Sequence, residues 1–283
     1  MLLPGSGKLA RRRKLLSFRF RLSWRLVIRL LVTAVFLLPL FWMLTAALHP
    51  QGRPLPTTLT VSLDFTLDNF GRVLELVPMG RYTLNSLVVV LLAVPLTLLT
   101  SSWAGFGMAQ LPTASQRRWI VLSLAVLMVP SVALWSTRFF IYAWLGWYNT
   151  ILALIAPAIM GTSPFFVLMF YRAFRRIPTA IYEAARLEGA GVLASWWQIG
   201  VPIARPTAVG VALLTFILYW SDFVSPLLYL RSQSRYTLPI ALQLLQQLTP
   251  SQWALLMAGA VLATVIPVML FLLLQPYFAR LGN

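Results

Sequence analysis

The chain has 283 residues, of which 59% are hydrophobic and only 10% are charged. A water-soluble domain of this length could not cover so many apolar side chains with so few charges, so the composition predicts a polytopic membrane protein. The absence of cysteine excludes disulfides and thiolate chemistry, and the single histidine, His49, excludes metal sites built from histidine clusters.

The net charge of +17 does not by itself indicate a nucleic-acid partner, because the basic residues lie in short segments beside apolar runs. The six acidic residues are too few and too scattered to form a catalytic carboxylate pair. The run Gly5-Ser6-Gly7-Lys8 lacks the preceding glycine and the following Ser or Thr of a phosphate-binding loop. We therefore expect no catalytic site, no ATP site, no cofactor and no metal in this chain.

Residues 1–25 form a basic arm, which precedes the first apolar run at 26–48. A signal peptide has a similar order, but its apolar part is shorter and no further spans need follow it. We therefore predict that this run stays in the membrane as the first transmembrane helix. The loop at 49–83 is predicted to be extracytoplasmic and to contain a short helix at about 67–77, with Asp68 as its N-terminal cap.

Residues 84–276 are predicted to form a core of five further transmembrane helices, since a span needs about 20 mainly apolar residues. The predicted spans lie at about 84–106, 119–141, 150–171, 207–229 and 253–275. Prolines within or beside several of these spans predict kinks. Residues 277–283 are expected to form a short tail.

The distribution of basic residues predicts the orientation of the spans. With the N-terminus in the cytoplasm, 17 of the 23 basic residues lie on the cytoplasmic side and six lie outside. This matches the excess of Lys and Arg in the cytoplasmic loops of membrane proteins. Both termini are therefore predicted to be cytoplasmic.

The cytoplasmic loop at 172–205 is charged and rich in helix-forming residues, unlike the spans on either side. We predict a helix at 179–188, stopped by Gly189 in a left-handed C-terminal cap. A second helix is predicted at 192–200 and is expected to end before Pro202. The alternative is an amphipathic hairpin lying on the membrane surface, which the arginines and tryptophans of this loop would suit.

Six residues of this loop follow a fixed spacing of an acid, two alanines, a glycine, an isoleucine and a proline. They are Glu183, Ala184, Ala185, Gly189, Ile199 and Pro202. The spacing resembles the EAA motif of ABC-importer permeases, with Glu188 at a position where that family more often has Asp. The resemblance implies that the segment docks into an ATPase subunit. Small Ala184 and Ala185 would let the helix sit deep in a groove of that subunit, while Ile199 would hold it against the spans.

Further matches extend the resemblance from about residue 24 to the end of the chain. They are Asp68-Asn69-Phe70, Asn85-Ser86, Trp220-Ser221-Asp222-Phe223, Tyr236-Thr237-Leu238-Pro239 and Phe271-Leu272-Leu273-Leu274-Gln275. These segments are similar to the second permease subunit of maltose-type carbohydrate-uptake systems. The resemblance implies an all-α integral membrane protein with six transmembrane helices, the type I ABC importer permease fold and a place in a bacterial or archaeal plasma membrane. It also implies four kinds of partner: a homologous second permease, two ATPase subunits, an extracytoplasmic solute-binding protein and membrane lipid.

Four polar or aromatic residues are candidates for the translocation pathway: Asn85, Ser86, Trp220 and Asp222. Asp222 is the only acid within a predicted span, where an ionisable group is a functional hypothesis by default. It would accept hydrogen bonds from a substrate, bind a proton, or make a structural bond at a kink, and we favour the structural role. Asn85 and Ser86 either line the pathway or join helices.

The sequence thus predicts the membrane subunit of an ATP-driven importer for a sugar or oligosaccharide, which performs no covalent chemistry itself. An ABC permease for a non-sugar solute such as a polyamine would share the coupling loop. A secondary transporter or channel is the second hypothesis, and a membrane scaffold without a transported substrate is the third. An ion-coupled carrier usually has several ionisable groups within its spans, whereas this chain has Asp222 and, near a span edge, Arg138.

Overall fold

The computed structural model describes residues 6–50, 65–249 and 252–281, and the regular elements in these ranges are all helical. The helices are α1 (Ser6–Ala47), α2 (Asp68–Leu76), α3 (Met79–Gln110), α4 (Thr113–Leu127), α5 (Trp135–Trp144), α6 (Ile151–Ile159), α7 (Pro164–Arg175), α8 (Thr179–Leu187), α9 (Val192–Ile203), α10 (Arg205–Trp220), α11 (Val224–Tyr229), α12 (Leu238–Leu248) and α13 (Trp253–Leu281). Short 3₁₀ turns precede α5 and α12. The all-α class predicted from the sequence is confirmed.

Four helical stretches are long and apolar enough to cross a membrane. They are Leu26–Ala47, Met79–Gln110, Ile151–Arg175 and Trp253–Gln275. These stretches correspond to the predicted first, second, fourth and sixth spans. Among the described residues, two bent pairs of helices raise the number of candidate spans to six if each pair is one span.

The third predicted span, at 119–141, is broken rather than kinked. Helix α4 ends at Leu127, and the chain turns by 86° before the helical segment Ser131–Trp144. Pro130 lies in this break. Because proline lacks an N–H and disfavours helical backbone in the preceding residue, Pro130 favours the end of a helix at this position.

The fourth and fifth predicted spans also contain breaks. In the fourth span, Gly161 and Thr162 have positive φ angles of 75° and 61°, which end α6. Helix α7 then begins with Pro164, and the Ser163 hydroxyl accepts a hydrogen bond of 3.2 Å from the Phe165 N–H as its cap. In the fifth span, predicted at 207–229, α10 ends before the described helix α11 begins.

The described chain forms two compact units, and the smaller one contains the residues up to Val73 together with part of 249–262. In this unit the buried Asn69 amide donates hydrogen bonds of 2.8 Å to the carbonyls of Ala47 and His49. These bonds satisfy carbonyl groups at and just beyond the end of α1. Asp68 lies in the first turn of α2 instead of capping it, and its N–H donates to the Thr66 hydroxyl at 3.1 Å.

The larger unit contains Leu74–Leu248 and the chain from Ala263 onward, and α3 packs against α6, α7 and α10 within it. Helices α3 and α7 lie in direct contact at Gly105. A Cβ atom added there would lie 2.7 Å from Phe170 Cβ and 2.8 Å from both Tyr171 N and Val167 O. Small residues permit such close contacts between membrane helices, so Gly105 determines how near α7 can lie to α3.

Gly105→Ala should destabilise the protein by about 1–3 kcal/mol, because the added methyl group meets fixed backbone of α7. Gly107→Ala is the matched control, since a Cβ at Gly107 would have no atom within 4 Å. The midpoint of thermal unfolding in detergent measures both effects. Equal midpoints for the two variants would contradict the proposed close packing.

Candidate functional site

The loop at 172–205 contains two helices, α8 and α9, joined by a turn at Gly189. Helix α8 ends at Leu187, and Gly189 has a φ angle of +87°. The Ala190 N–H donates to the Ala185 carbonyl at 2.8 Å, and the Gly189 N–H donates to the Arg186 carbonyl at 3.0 Å. These are the two bonds of a Schellman motif, in which glycine takes the left-handed position without steric cost. The structure therefore contains the helix predicted from the sequence and the left-handed C-terminal cap predicted at Gly189.

The inner face of the loop is held by aromatic packing. We define the aromatic cluster as Phe106 of α3, Phe170 and Phe174 of α7, Tyr182 of α8 and Trp196 of α9, all of which are buried. Phe106 contacts Phe174 and Tyr182 edge to face, with ring centroids 5.5 and 5.8 Å apart. Edge-to-face pairs at such distances are favourable beyond the area they bury. The cluster therefore joins both loop helices to two membrane helices.

Helix α9 contains a π-helical turn at Ser195–Gly200. This turn places Trp196 inside, where its ring lies edge to face with Trp103 at 5.0 Å, while Trp197 stays exposed. A Cβ at Gly200 would lie 3.0 Å from Phe174 Cε1, so glycine allows α9 to approach α7 closely at this point. Short π-helical turns of this kind often occur at functional sites.

The predicted end of α9 before Pro202 is wrong, because the helix continues to Ile203 and then bends by 80° into α10. Pro202 lies in the first turn of the α-helical part that follows the π turn. The chain therefore reaches the next membrane helix through a bend at Ala204.

The residues of the EAA-like motif lie on both faces of the loop. Ala185 is buried and Ile199 packs against the aromatic cluster, whereas Glu183 and Ala184 are exposed. The expectation that both alanines face a partner therefore fails for Ala185, whose side chain is covered by this chain. This small side chain lies on the covered face of α8, which also carries Tyr182.

The outer face of the loop exposes large apolar side chains. We call this surface the exposed loop face; it comprises Ile181, Glu183, Ala184, Leu187, Val192, Leu193 and Trp197. Leu187 is 90% exposed and Trp197 is 61% exposed. Exposed apolar side chains on a helical loop are typical of a surface that contacts a partner or the membrane. Sequence reasoning missed Leu187 because it is not a motif position.

Tyr182 is the second residue that the motif did not identify. It lies three residues before Ala185, and residues at this spacing share one face of a helix, which was the available signal. Burial raises the pKa of the Tyr182 hydroxyl, so the side chain stays neutral at physiological pH. Within the described residues the hydroxyl has no hydrogen-bond partner. Its contribution is therefore the packing of its ring.

Two of the four pathway candidates join helices. The Asn85 amide donates hydrogen bonds of 3.0 and 2.8 Å to the carbonyls of Ser234 and Tyr236. The Ser86 hydroxyl accepts a hydrogen bond of 2.8 Å from the Leu238 N–H. These bonds fix the segment before α12 to α3. A role for Asn85 and Ser86 in the pathway stays a prediction.

The other two candidates lie near the end of α10. Trp220 is buried and its ring stacks on Phe216 at 5.6 Å. Asp222 is half-buried in the break after α10, and its carboxylate accepts a hydrogen bond of 3.1 Å from the Ser225 N–H. This bond satisfies a backbone donor at the start of α11. Within the described ranges, no group of three His, Asp or Glu side chains could hold a metal ion.

Comparison with known proteins adds independent findings. No family model matches the chain. The chain is 32% identical over 266 residues to the arabinooligosaccharides transport system permease protein AraQ of Halalkalibacterium halodurans, an alignment that covers 91% of this chain and 93% of the relative.

Two solved structures of bacterial alginate ABC transporters share the fold. The superposition on the first covers 93% of this chain and 98% of the transporter's chain, with a TM-score of 0.73 and 17% identity. The other, in complex with an alginate pentasaccharide-bound periplasmic protein, covers 94% and 97%, with a TM-score of 0.66 and 14% identity.

Tyr182→Ala should cost about 3–5 kcal/mol of stability, because it removes a buried aromatic ring between α3 and α8. Tyr182→Phe is the matched control: it removes only a buried hydroxyl that lacks a partner among the described residues, so stability should be unchanged or higher. Thermal unfolding and proteolysis of the loop measure the effect. If Phe is as damaging as Ala, the ring packing does not hold the loop.

Proposed function

The chain belongs to the sugar permeases of ABC transporters, and we propose that it forms half of the translocation pathway of an ATP-driven importer for an oligosaccharide. The apolar helices and the family agree on a multi-pass protein of the plasma membrane. The arabinooligosaccharide relative supports an oligosaccharide as the substrate. The alginate transporters support the fold of the whole membrane subunit.

The proposal rests on the difference between the two faces of the loop at 172–205. Its inner face is fixed to α3 and α7 by the aromatic cluster, and its outer face presents exposed apolar side chains. A subunit that binds the exposed loop face would thus be mechanically connected to the membrane helices. We assign this face to the ATPase, with Glu183, Ala184 and Gly189 at or beside the contact.

The remaining motif residues transmit the movement in this scheme. Ala185 is buried on the side of α8 that carries Tyr182, Ile199 packs against the aromatic cluster, and Pro202 precedes the bend into α10. The loop therefore contacts three helices of the larger unit, namely α3, α7 and α10. Displacement of the loop by the ATPase would move these helices together, because the contacts between them are densely packed.

The proposed assembly contains this chain, a homologous second permease, two ATPase subunits and an extracytoplasmic solute-binding protein. One of the alginate ABC transporters that share this fold is in complex with a ligand-bound periplasmic protein, which supports the last of these partners. The chain itself is proposed to bind no ATP. Mass spectrometry of proteins that co-purify with the tagged chain tests the assembly, and recovery of the chain alone would refute it.

Leu187→Arg should leave the chain folded, since the side chain is 90% exposed, but should reduce the co-purifying ATPase at least about tenfold. The physical reason is that a charge buried in an apolar contact loses its hydration. Leu67→Arg is the matched control, because Leu67 is 72% exposed in the loop predicted to be outside. Undiminished ATPase recovery with Leu187→Arg would exclude the exposed loop face as the docking surface.

Substitutions of Asp222 distinguish ATP-driven transport from proton-coupled transport. Asp222→Asn keeps an oxygen that can accept from the Ser225 N–H, so oligosaccharide uptake should stay within about twofold of the unmodified chain. Asp222→Ala removes this acceptor and should lower both stability and uptake. Uptake of a labelled oligosaccharide into cells measures the effect. Complete loss of uptake in Asp222→Asn, with normal expression, would instead favour a titrating carboxylate.

A further inference from the structure

A groove on the surface of the larger unit lies between the membrane helices α3, α4 and α7. Its volume is about 580 Å³. Ala104 and Gly107 of α3 form its floor, and Trp119, Leu122 and Val126 of α4 form one wall. The lining is predominantly apolar, as expected for a surface that contacts hydrocarbon.

The groove exists because α3 carries small residues where it faces α4. A Cβ at Gly107 would have no atom within 4 Å, so the space above this residue is open. Two residues earlier, at Gly105, the corresponding space is filled by α7. The same helix therefore packs tightly on one side and leaves a cleft on the other.

The length of the groove indicates what fills it. From Trp119 to Val126 it follows seven residues of α4, or about 10 Å at 1.5 Å per residue. It ends at Met160, beside the break between α6 and α7, and α4 itself ends at Leu127. A membrane-spanning helix would need a groove as long as the hydrocarbon core, which is about 30 Å thick, whereas one acyl chain needs a groove within a single leaflet.

The charge at one end of the groove indicates the headgroup. Arg117 and Arg118 immediately precede Trp119, and both are exposed. No acidic residue occurs between Glu75 and Glu183, so α3 to α7 contain no carboxylate to neutralise them. Guanidinium groups bind phosphate with paired hydrogen bonds, and basic sites beside membrane helices select anionic lipids.

We propose that this groove binds one acyl chain of an anionic glycerophospholipid, whose phosphate is held by Arg117 and Arg118. The tryptophan ring lies between the apolar groove and the charged headgroup, at the depth where indole is favoured in membranes. The lipid would fill the cleft between α4 and α7. Because α7 leads directly into the loop at 172–205, lipid binding stabilises the helix to which that loop is attached.

Native mass spectrometry of the purified full chain tests this proposal, with equal amounts of palmitoyl-oleoyl phosphatidylglycerol and phosphatidylethanolamine added in mild detergent. The unmodified chain should retain the anionic lipid about tenfold more than the zwitterionic lipid. The double variant Arg117→Gln/Arg118→Gln should lose most of this preference and retain the two lipids to within about twofold of each other. Gly107→Leu should reduce retention of both lipids, because the new side chain occupies the cleft.

Two matched controls separate the groove from general effects. Arg231→Gln/Arg235→Gln removes the same charge from another segment, and Gly80→Leu adds the same volume to α3 where a Cβ would have no atom within 4 Å. Both controls should retain lipid like the unmodified chain. The proposal is overturned if the groove variants behave like these controls. It is also overturned if Gly107→Leu releases a co-purifying permease subunit without changing lipid retention, because the groove would then bind protein.

Discussion

The packing of Tyr182 and Trp196 against the phenylalanines of α3 and α7 is the interaction on which the loop at 172–205 depends. Helix α8 has nine residues and the helical parts of α9 are shorter still. Isolated helices of this length are marginal in water, so their stability must come from tertiary contacts. The aromatic cluster supplies these contacts at the ends of two membrane helices. Without it, the loop would have no fixed orientation to present to a partner.

The same residues explain why the motif contains both small and exposed positions. Ala185 is covered by other residues of this chain, and a Cβ at Gly200, the residue after Ile199, would lie 3.0 Å from Phe174 Cε1. Gly189 is required for a different reason, which is its positive φ angle. A single short motif therefore combines internal packing, a turn and a contact surface. Only the exposed part is available for partner recognition.

The sequence predicted the elements that depend on local physical rules. The four apolar stretches long enough to cross a membrane followed from hydropathy, and the end of α8 followed from a glycine after a helix-forming segment. The bonds of Asn85 to Ser234 and Tyr236 were not predictable, because these residues are 149 and 151 positions apart in the chain. The π turn in α9 also had no sequence signal. For Pro130, the sequence predicted a kink, but the size of the bend depends on how α4 and α5 pack against other helices.

The breaks in the spans are compatible with a membrane because side chains satisfy the backbone groups that they free. Ser163 caps α7 at the break in the fourth span, and Asp222 accepts the Ser225 N–H at the break in the fifth span. Unsatisfied backbone groups are costly in hydrocarbon, so polar residues at these breaks have a structural reason to be there.

These breaks also separate two groups of helices within the larger unit. Helices α3, α7, α8 and α9 share the aromatic cluster, whereas α5 and α11 are joined by the hydrogen bond of 3.1 Å from the Tyr229 hydroxyl to the Trp135 carbonyl. The chain passes between the two groups through the breaks after α4 and α10. Under the proposed function, movement of the loop acts directly on the first group. It reaches the second group through backbone that is already bent and hydrogen-bonded, so the two groups can shift without exposing unpaired backbone groups to lipid.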